Sequence, residues 1–358
     1  MLIQPEKIRP KDESILLSIC IATLNRGDFI AETLNSIVSQ LTVDTELLVV
    51  DGASKDSTPD VMAKYVQEYS QVRYIQEQEN SGFDADFDKA VSYAKGTFCW
   101  LMTDDDILVP GAISRVREEL VSNNLELLVV DAEVRDINLE RILQLSRMFL
   151  EKDHYFEQSC DQFLEVAGDQ LSFIASVIVR RDTWLKRERN RFYGSLFVHV
   201  GVLLQSPPLE GVKVLSEPLI QIRYGNASWT ARAFEIWLFI WPNLIWSFEQ
   251  FSERSKAKVC ARYPWKNLMQ LLKHRARGSY STREFENFIE NRASGIEKAQ
   301  AFIVAKIPEP IANFAAVAYV VILSRQSRLG LGDLLDSEHA SWASKLLARL
   351  LPLSKIGG

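Results

Sequence analysis

The 358-residue chain is short of cysteine pairs, of glycine-rich motifs and of long uncharged stretches, and each shortage narrows its chemistry. Its four cysteines (Cys20, Cys99, Cys160, Cys260) lie far apart and form no Cys-x-x-Cys pair. That spacing excludes a structural zinc site and a disulfide scaffold. Cys20, Cys99 and Cys260 sit among apolar neighbours, so reduced, buried thiols of a cytosolic protein are expected. No Gly-x-Gly-x-x-Gly, no P-loop lysine motif and no Gly-x-Ser-x-Gly elbow is present. Dinucleotide-dependent dehydrogenases, P-loop NTPases and serine hydrolases are therefore unsupported. The longest uncharged apolar runs, 236–248 and 311–324, stop short of the roughly 20 residues that cross a bilayer. The first 13 residues are polar and of mixed charge, without the apolar core of a secretory signal. A soluble or membrane-peripheral protein is expected, in the cytoplasm or on the inner face of the plasma membrane. Internal repeats and low-complexity tracts are absent.

What is there is an ordinary globular balance, 47% hydrophobic and 25% charged, in a chain long enough for about two domains. The net charge of −6 argues against general nucleic-acid binding. It is unevenly spread: residues 254–283 hold nine Lys/Arg and no acid. The rest carries 32 basic against 47 acidic residues, a net of −15. Such a block suits an anionic partner such as phosphate or lipid headgroups, or equally a face that meets acidic residues of its own fold.

The first 110 residues alternate strand-like and helix-like patterns. Residues 16–23 form a β-branched apolar run that ends in Thr-Leu-Asn-Arg-Gly, followed by helical spacing over 28–40. A second buried strand at 46–50 closes on Asp-Gly-Ala-Ser-Lys-Asp-Ser-Thr-Pro, where Thr58 can cap a helix with Pro59 in its first turn. A third strand at 72–76, a helix over 84–94 and a fourth strand at 97–102 lead into Thr103-Asp-Asp-Asp. Further strands are expected at 125–130 and 173–179, with a helix from 182. This alternation implies a parallel sheet with helices on both faces, whose ligands bind at the carboxyl ends of the strands. Those ends carry Asn25, Asp51 and the aspartates at 104–106. Beyond Tyr224 the pattern turns helical, which places a boundary near residue 226.

Three adjacent carboxylates after a buried strand repel one another unless a cation sits among them. Hard oxygen donors suit Mg²⁺ or Mn²⁺; a solvated acidic turn is the plainer reading of Asp104, Asp105 and Asp106. Asp51 can accept from a base or ribose, or shape its loop as an Asx turn. Asp84 and Asp86 enter a helix where they can meet a bound ligand, or simply favour its N-terminus. Arg180 and Arg181 follow a strand and can face phosphate. Trp229 offers an aromatic platform for a sugar, or packing.

Taken together, these segments resemble the family 2 glycosyltransferases. The resemblance is carried by Ser18-Ile-Cys-Ile-Ala-Thr-Leu-Asn-Arg, Glu46-Leu-Leu-Val-Val-Asp-Gly-Ala-Ser-Lys-Asp-Ser-Thr, Asn80-Ser-Gly-Phe-Asp and Ala94-Lys-Gly-Thr-Phe-Cys-Trp-Leu-Met-Thr-Asp-Asp-Asp. Gly82-Phe-Asp-Ala-Asp-Phe, 171–181 and 197–204 look like the O-antigen sugar transferases of the abequosyltransferase kind. The likeness covers 15 to about 230. It implies a GT-A fold, a mixed, mostly parallel sheet flanked by helices (15–225); the tail (1–14) and the C-terminal region (226–358), helical by its pattern, lie outside the likeness.

The resemblance also implies a nucleotide-sugar donor held by Thr23, Asn25, Arg26 and Asp51, with Asp84 and Asp104 beside them. The family's DxD motif falls on Thr103 and Asp105, so its first aspartate is missing; Asp105 is the leading metal ligand, with Asp106 and Asp104 as candidates for Mn²⁺ or Mg²⁺. Family members place an acidic general base where this chain has Val198-His199. An imidazole can serve as that base near neutral pH; alternatively His199 is packed and the base is Asp84 or Asp86. Inverting displacement by an acceptor hydroxyl is the family expectation.

Trp237, Trp241 and Trp246, the basic block, and Trp342, Leu346, Leu347, Leu350 and Leu351 with Lys345, Arg349 and Lys355 suit a membrane surface through 234–283 and 340–355. A helical cap or dimer contact fits the same residues. The expected activity is transfer of one sugar to a saccharide acceptor, a lipid-linked intermediate of bacterial O-antigen or another surface polysaccharide. Its rivals are nucleotidyltransfer, for which the first loop has too few glycines and cations, and a degenerate fold that serves as a binding or scaffold subunit.

Overall fold

The computed structural model describes residues 14–226, 230–324 and 328–350. The tail at 1–13, Trp229 and Lys355 lie outside the described residues. Contacts divide the chain into two units. One spans 1–140 and 145–223, and the other spans 141–144 and 224–358.

The first unit is built on β1 (Leu17–Thr23), β2 (Thr45–Asp51), β3 (Val72–Gln76) and β4 (Phe98–Met102). β1, β2 and β4 are buried along almost their whole length, as strands covered on both faces must be. β1 pairs in parallel with both β2 and β4. The register sets Thr23 beside Asp51 and Ile21 beside Met102, so three strands end at one edge. Helix α1 (Ile30–Val38) follows β1 and buries Ile30, Thr33, Leu34, Ile37 and Val38, the helical spacing visible in the sequence. Helices α2 (Thr58–Glu68), α3 (Phe83–Tyr93) and α4 (Ala112–Ser122) complete the crossovers, with the two-residue β5 (Ile107–Leu108) before α4. Ser57, not Thr58, precedes α2; the Thr58 hydroxyl donates to Asp56 instead.

Past β4 the sheet stops being parallel. Its order runs β3-β2-β1-β4-β9-β6-β10-β5, where β6 is Leu127–Arg135, β9 is Val177–Arg180 and β10 is Glu210–Arg223. β9 is antiparallel to both neighbours, whereas β6 and β10 are parallel. β8 (His154–Gln158) adds an antiparallel edge to β10, and β7 (Ile142–Gln144) groups with the second unit. The strand expected at 173–179 begins only at Val177, because 170–172 and 174–176 form tight turns. The turn carbonyl of Ala175 accepts the Trp100 indole N–H at 2.8 Å, which satisfies a fully buried Trp. Helices α5 (Asp161–Ala167), α6 (Arg181–Lys186) and α7 (Val198–Leu204) fill the remaining links. Cys20 and Cys99 are buried in β1 and β4, while Cys160 and Cys260 are half-buried, so Cys260 is less enclosed than its neighbours suggested.

The second unit is helical beyond β7. α8 (Ala233–Glu235) runs through a wide turn into α9 (Trp241–Trp246), followed by α10 (Glu253–Val259), α11 (Leu268–Ala276), α12 (Thr282–Glu284), α13 (Gly295–Lys306), α14 (Glu309–Tyr319), α15 (Arg328–Asp336) and α16 (Trp342–Leu350). Its core is aromatic: Phe234 stacks on Tyr280 with centroids 4.6 Å apart, among Trp265, Phe285 and Ile289. From the 234–250 run Phe234, Leu238 and Phe239 enter this core and Trp241 is 3% exposed, while Trp237 and Trp246 are half-buried. Much of the basic block meets its own fold. Lys256 donates to the Phe248 carbonyl, Arg275 pairs with Glu309 and Arg277 with Asp333. No single described helix is long and apolar enough to cross a membrane.

Candidate active site

The shared edge of β1, β2 and β4 brings three loops together, and hydrogen bonds sew the first two to each other. Asn25 takes a left-handed φ of 54°, which Asn tolerates better than most residues. Its amide donates to Ser54 Oγ at 2.8 Å, and its Oδ1 accepts the Lys55 amide at 2.8 Å. The Arg26 amide donates to Thr58 Oγ1 at 2.9 Å, and the Gly27 amide to Asp56 Oδ2 at 2.9 Å. Asp51 is fully buried. Its Oδ1 accepts the Ser54 amide at 2.8 Å, an Asx turn, and its Oδ2 accepts the Tyr74 hydroxyl. Its carboxylate thus shapes the loop.

The third loop holds the acidic turn. Arg26 reaches across from the first: Nε lies 3.1 Å from Asp104 Oδ1 and Nη2 2.6 Å from Asp105 Oδ2. Burial, reinforced by Asp105, pushes the Asp104 carboxyl up to about 6, against the pull of Arg26 and Thr23. Asp106 turns the other way. Its Oδ1 accepts the Arg223 amide at 2.8 Å and its Oδ2 the Thr103 hydroxyl. Burial and Asp105 push Asp106 up to about 8. Asp106 is therefore part of the turn's scaffold, and Asp104 is the carboxylate grouped with Asp105 by a shared guanidinium.

Sequence reading missed Arg223, at the end of β10. Its Nε donates to the Asp105 carbonyl at 3.0 Å, its Nη1 to the Ile137 carbonyl at 2.8 Å, and its Nη2 pairs with Glu32 at 2.5 Å. The guanidinium stands 5.4 Å from the Phe29 ring centroid, as does that of Arg26. Nothing local in the sequence marks a residue 118 positions downstream as the brace of the acidic turn.

Other expected site residues have structural work. Asp84 is 3% exposed; its Oδ1 accepts the Val198 amide at 2.9 Å and its Oδ2 the Leu196 amide at 2.8 Å. It holds the chain entering α7, so the expected donor contact does not fit its position. Asp86 accepts from Ser81 and lies against Gly52, where an added Cβ would come within 2.7 Å of Asp86 Oδ2. Asp86, not Asp84, is thus the α3 carboxylate beside the Asp51 loop. Burial raises both carboxyls.

His199 is 1% exposed in the first turn of α7, and its Nε2 donates to the Leu171 carbonyl at 2.8 Å. Burial drives its imidazole down to about 4. A ring enclosed in this way does not face an acceptor hydroxyl, so its placement matches the packed alternative and not the general base. Arg180 and Arg181 bond backbone carbonyls of Leu125, Val91 and Ser92. They brace the fold and do not form a phosphate site.

A family model described as glycosyl transferase family 2 matches residues 18–176, which include all three loops. The matched stretch is 159 of the chain's 358 residues. The chain is 26% identical over 228 residues to the abequosyltransferase RfbV of Salmonella typhimurium, across 60% of this chain and 68% of the relative. It is 24% identical over 180 residues to the GalNAc(5)-diNAcBac-PP-undecaprenol beta-1,3-glucosyltransferase of Campylobacter jejuni, half of this chain and 56% of that one. Among solved structures it resembles residues 1–349 of S. aureus TarS in complex with UDP, with a TM-score of 0.52 at 18% identity over 85% of this chain and 84% of that one. The last is a likeness of fold. The protein is a glycosyltransferase with a GT-A sheet and a helical C-terminal region.

Proposed function

We propose that this protein transfers one sugar from a nucleotide-sugar donor to a saccharide acceptor, a lipid-linked intermediate of a bacterial surface polysaccharide such as O-antigen. The observation that carries the reading is the Arg26–Asp104–Asp105 cluster at the carboxyl edge of β1 and β4, inside the stretch matched by the family. Relatives named for abequosyl and undecaprenol-linked glucosyl transfer favour this acceptor class.

The residues fit a divalent cation, as Mg²⁺ or Mn²⁺. Asp104 and Asp105 are hard oxygen donors on adjacent residues, with Asp104 raised by burial first and by Asp105 second, and such cations typically take one or two carboxylates and fill the remaining places with phosphate and water. Bound there, the cation would supply charge neutralisation for the departing diphosphate. Arg26 offers a second positive charge at the same place, and the tied loops of Asn25 and Ser54 hold it in position. Attack by the acceptor hydroxyl with inversion is the expected stereochemistry.

The test is a thermal-shift panel of UDP, CDP, GDP and dTDP with and without Mn²⁺, followed by transfer or donor hydrolysis with the matching sugar. A ligand at 100 times its Kd adds about 2.7 kcal/mol to stability, which such a panel reads readily. The proposal expects one nucleotide to give a Mn²⁺-dependent shift, and Asp105→Ala to reduce turnover by at least about a hundredfold. A second reading, a scaffold subunit without catalysis, draws on Thr103 in place of an aspartate and on the enclosed His199. No shift and no turnover with any donor would favour it.

A further inference from the structure

We propose that the second unit docks on an anionic lipid surface through the outward faces of α13, α14 and α16. On α14, Ala312, Asn313, Ala316 and Val317 are buried, which anchors the helix. Its other side carries Ile311, 60% exposed, and Phe314, 42% exposed, followed by Ile322, 54% exposed, in the turn beyond. These positions fall at i, i+3 and i+11, one stripe of the helix. No charged residue occurs from 310 to 324. α13 repeats the arrangement: Ala301, Val304 and Ala305 are buried, whereas Ile296 is 74% and Ile303 62% exposed. A surface helix facing water carries polar residues on its outer side. Two consecutive helices with apolar outer faces mark an interaction surface.

The partner is set by α16. Leu347 and Ala348 pack into the cluster that includes α14, while Trp342, 77% exposed, and Leu346, 44% exposed, face outward with Lys345 and Arg349. The helix has no acidic residue. Indole, aliphatic and cationic side chains on one exposed face suit the boundary between headgroups and acyl chains. Against a second copy across a two-fold axis, the same face would meet itself and set Lys345 and Arg349 against like charges. On α13 the exposed Lys306 holds its ammonium 5.4 Å from the Phe302 ring centroid, a cation above an apolar surface. α13 and the extended α14 together have the hydropathy of a membrane segment, but they meet at a bend of 108°. Each is too short to span, so both lie along the surface. This inference does not depend on the sugar-transfer reading.

The experiment is co-sedimentation of the full chain with vesicles of phosphatidylcholine alone or mixed with phosphatidylglycerol. Binding to the mixed vesicles is expected. It should fall by about tenfold or more both in Ile311→Glu with Phe314→Glu and in Trp342→Ala with Lys345→Glu. All four side chains are exposed, so thermal unfolding should be unchanged. Ile303→Glu on α13 serves as a second test if the α14 pair fails to fold. No binding to either vesicle, or binding indifferent to these substitutions, overturns the proposal. So does a dimer in lipid-free light scattering that the same substitutions dissociate, which would assign the face to a second copy.

Discussion

Arg26 Nη2 stands 2.6 Å from Asp105 Oδ2, and the same guanidinium reaches Asp104, so one side chain from the first loop balances two carboxylates of the third. Arg26→Ala should lower kcat/KM for the donor by at least about tenfold, equivalent to about 1.4 kcal/mol. Arg26→Lys should recover only part of that, because a point charge does not bridge two carboxylates as a planar fork does. Steady-state kinetics on the three proteins decides it; a lysine variant equal to the parent would rule the bridge out.

Asp84 predicts a stability effect with little on chemistry. Removing a buried acceptor of the Leu196 and Val198 amides in Asp84→Ala should cost about 1–3 kcal/mol. Thermal unfolding reads that loss, at roughly 2–4 °C of Tm per kcal/mol for a unit of this size. Turnover per folded molecule should stay close to the parent, and a specific loss of donor affinity would return Asp84 to the binding site.

The enclosed imidazole of His199 makes stability depend on acid. Its folded value, about 4, lies below the ordinary 6.5. The unfolded chain therefore takes up a proton as pH falls below 6.5, while the native chain does so only near 4. Stability present above 6.5 is lost across that window, on the order of 2 kcal/mol by pH 5. His199→Gln should flatten this slope between pH 7 and pH 5 in urea midpoints. His274, driven down to about 3 chiefly by burial, should retain its own share. If His199 were the general base, the substitution would instead remove an inflection from the pH–rate profile.

Gly96 carries a packing requirement. A Cβ there would sit 2.6 Å from the Ser18 amide nitrogen and 2.9 Å from the Leu17 carbonyl carbon, both backbone atoms of β1. Gly96→Ala should therefore destabilise by about 1–3 kcal/mol. Calorimetry that finds the variant as stable as the parent would show that β1 and β4 can part without penalty.

The strand ends were legible because the buried parallel strands are continuous apolar runs punctuated by turn residues, and Asp51 and the acidic turn stand at that punctuation. The antiparallel β9 was only partly legible. Its run from Phe173 is apolar but for Ser176, whose hydroxyl donates to the Phe173 carbonyl, and the Trp100 indole takes the Ala175 carbonyl, so 170–176 form turns before the strand begins. β8, His-Tyr-Phe-Glu-Gln, is an edge strand whose polar residues hide its type. Arg223, the contrast between Asp84 and Asp86, and the enclosure of His199 depend on partners far apart in the chain, which spacing alone does not reveal. Of the aromatics in 234–250, Phe234 and Phe239 pack into a core and Trp237 and Trp246 stay half-buried, a division that composition does not reveal; nor does it reveal the exposed apolar stripes of α13 and α14.

The unequal burial of the four cysteines makes the sheet its own reporter. Cys20 and Cys99 are closed inside adjacent strands, while Cys160 and Cys260 are half-buried. A thiol reagent added to the native protein should modify the latter pair first, and all four once β1 and β4 separate. Counting labelled sulfurs by mass thus times the opening of the sheet that carries the site, without any added probe.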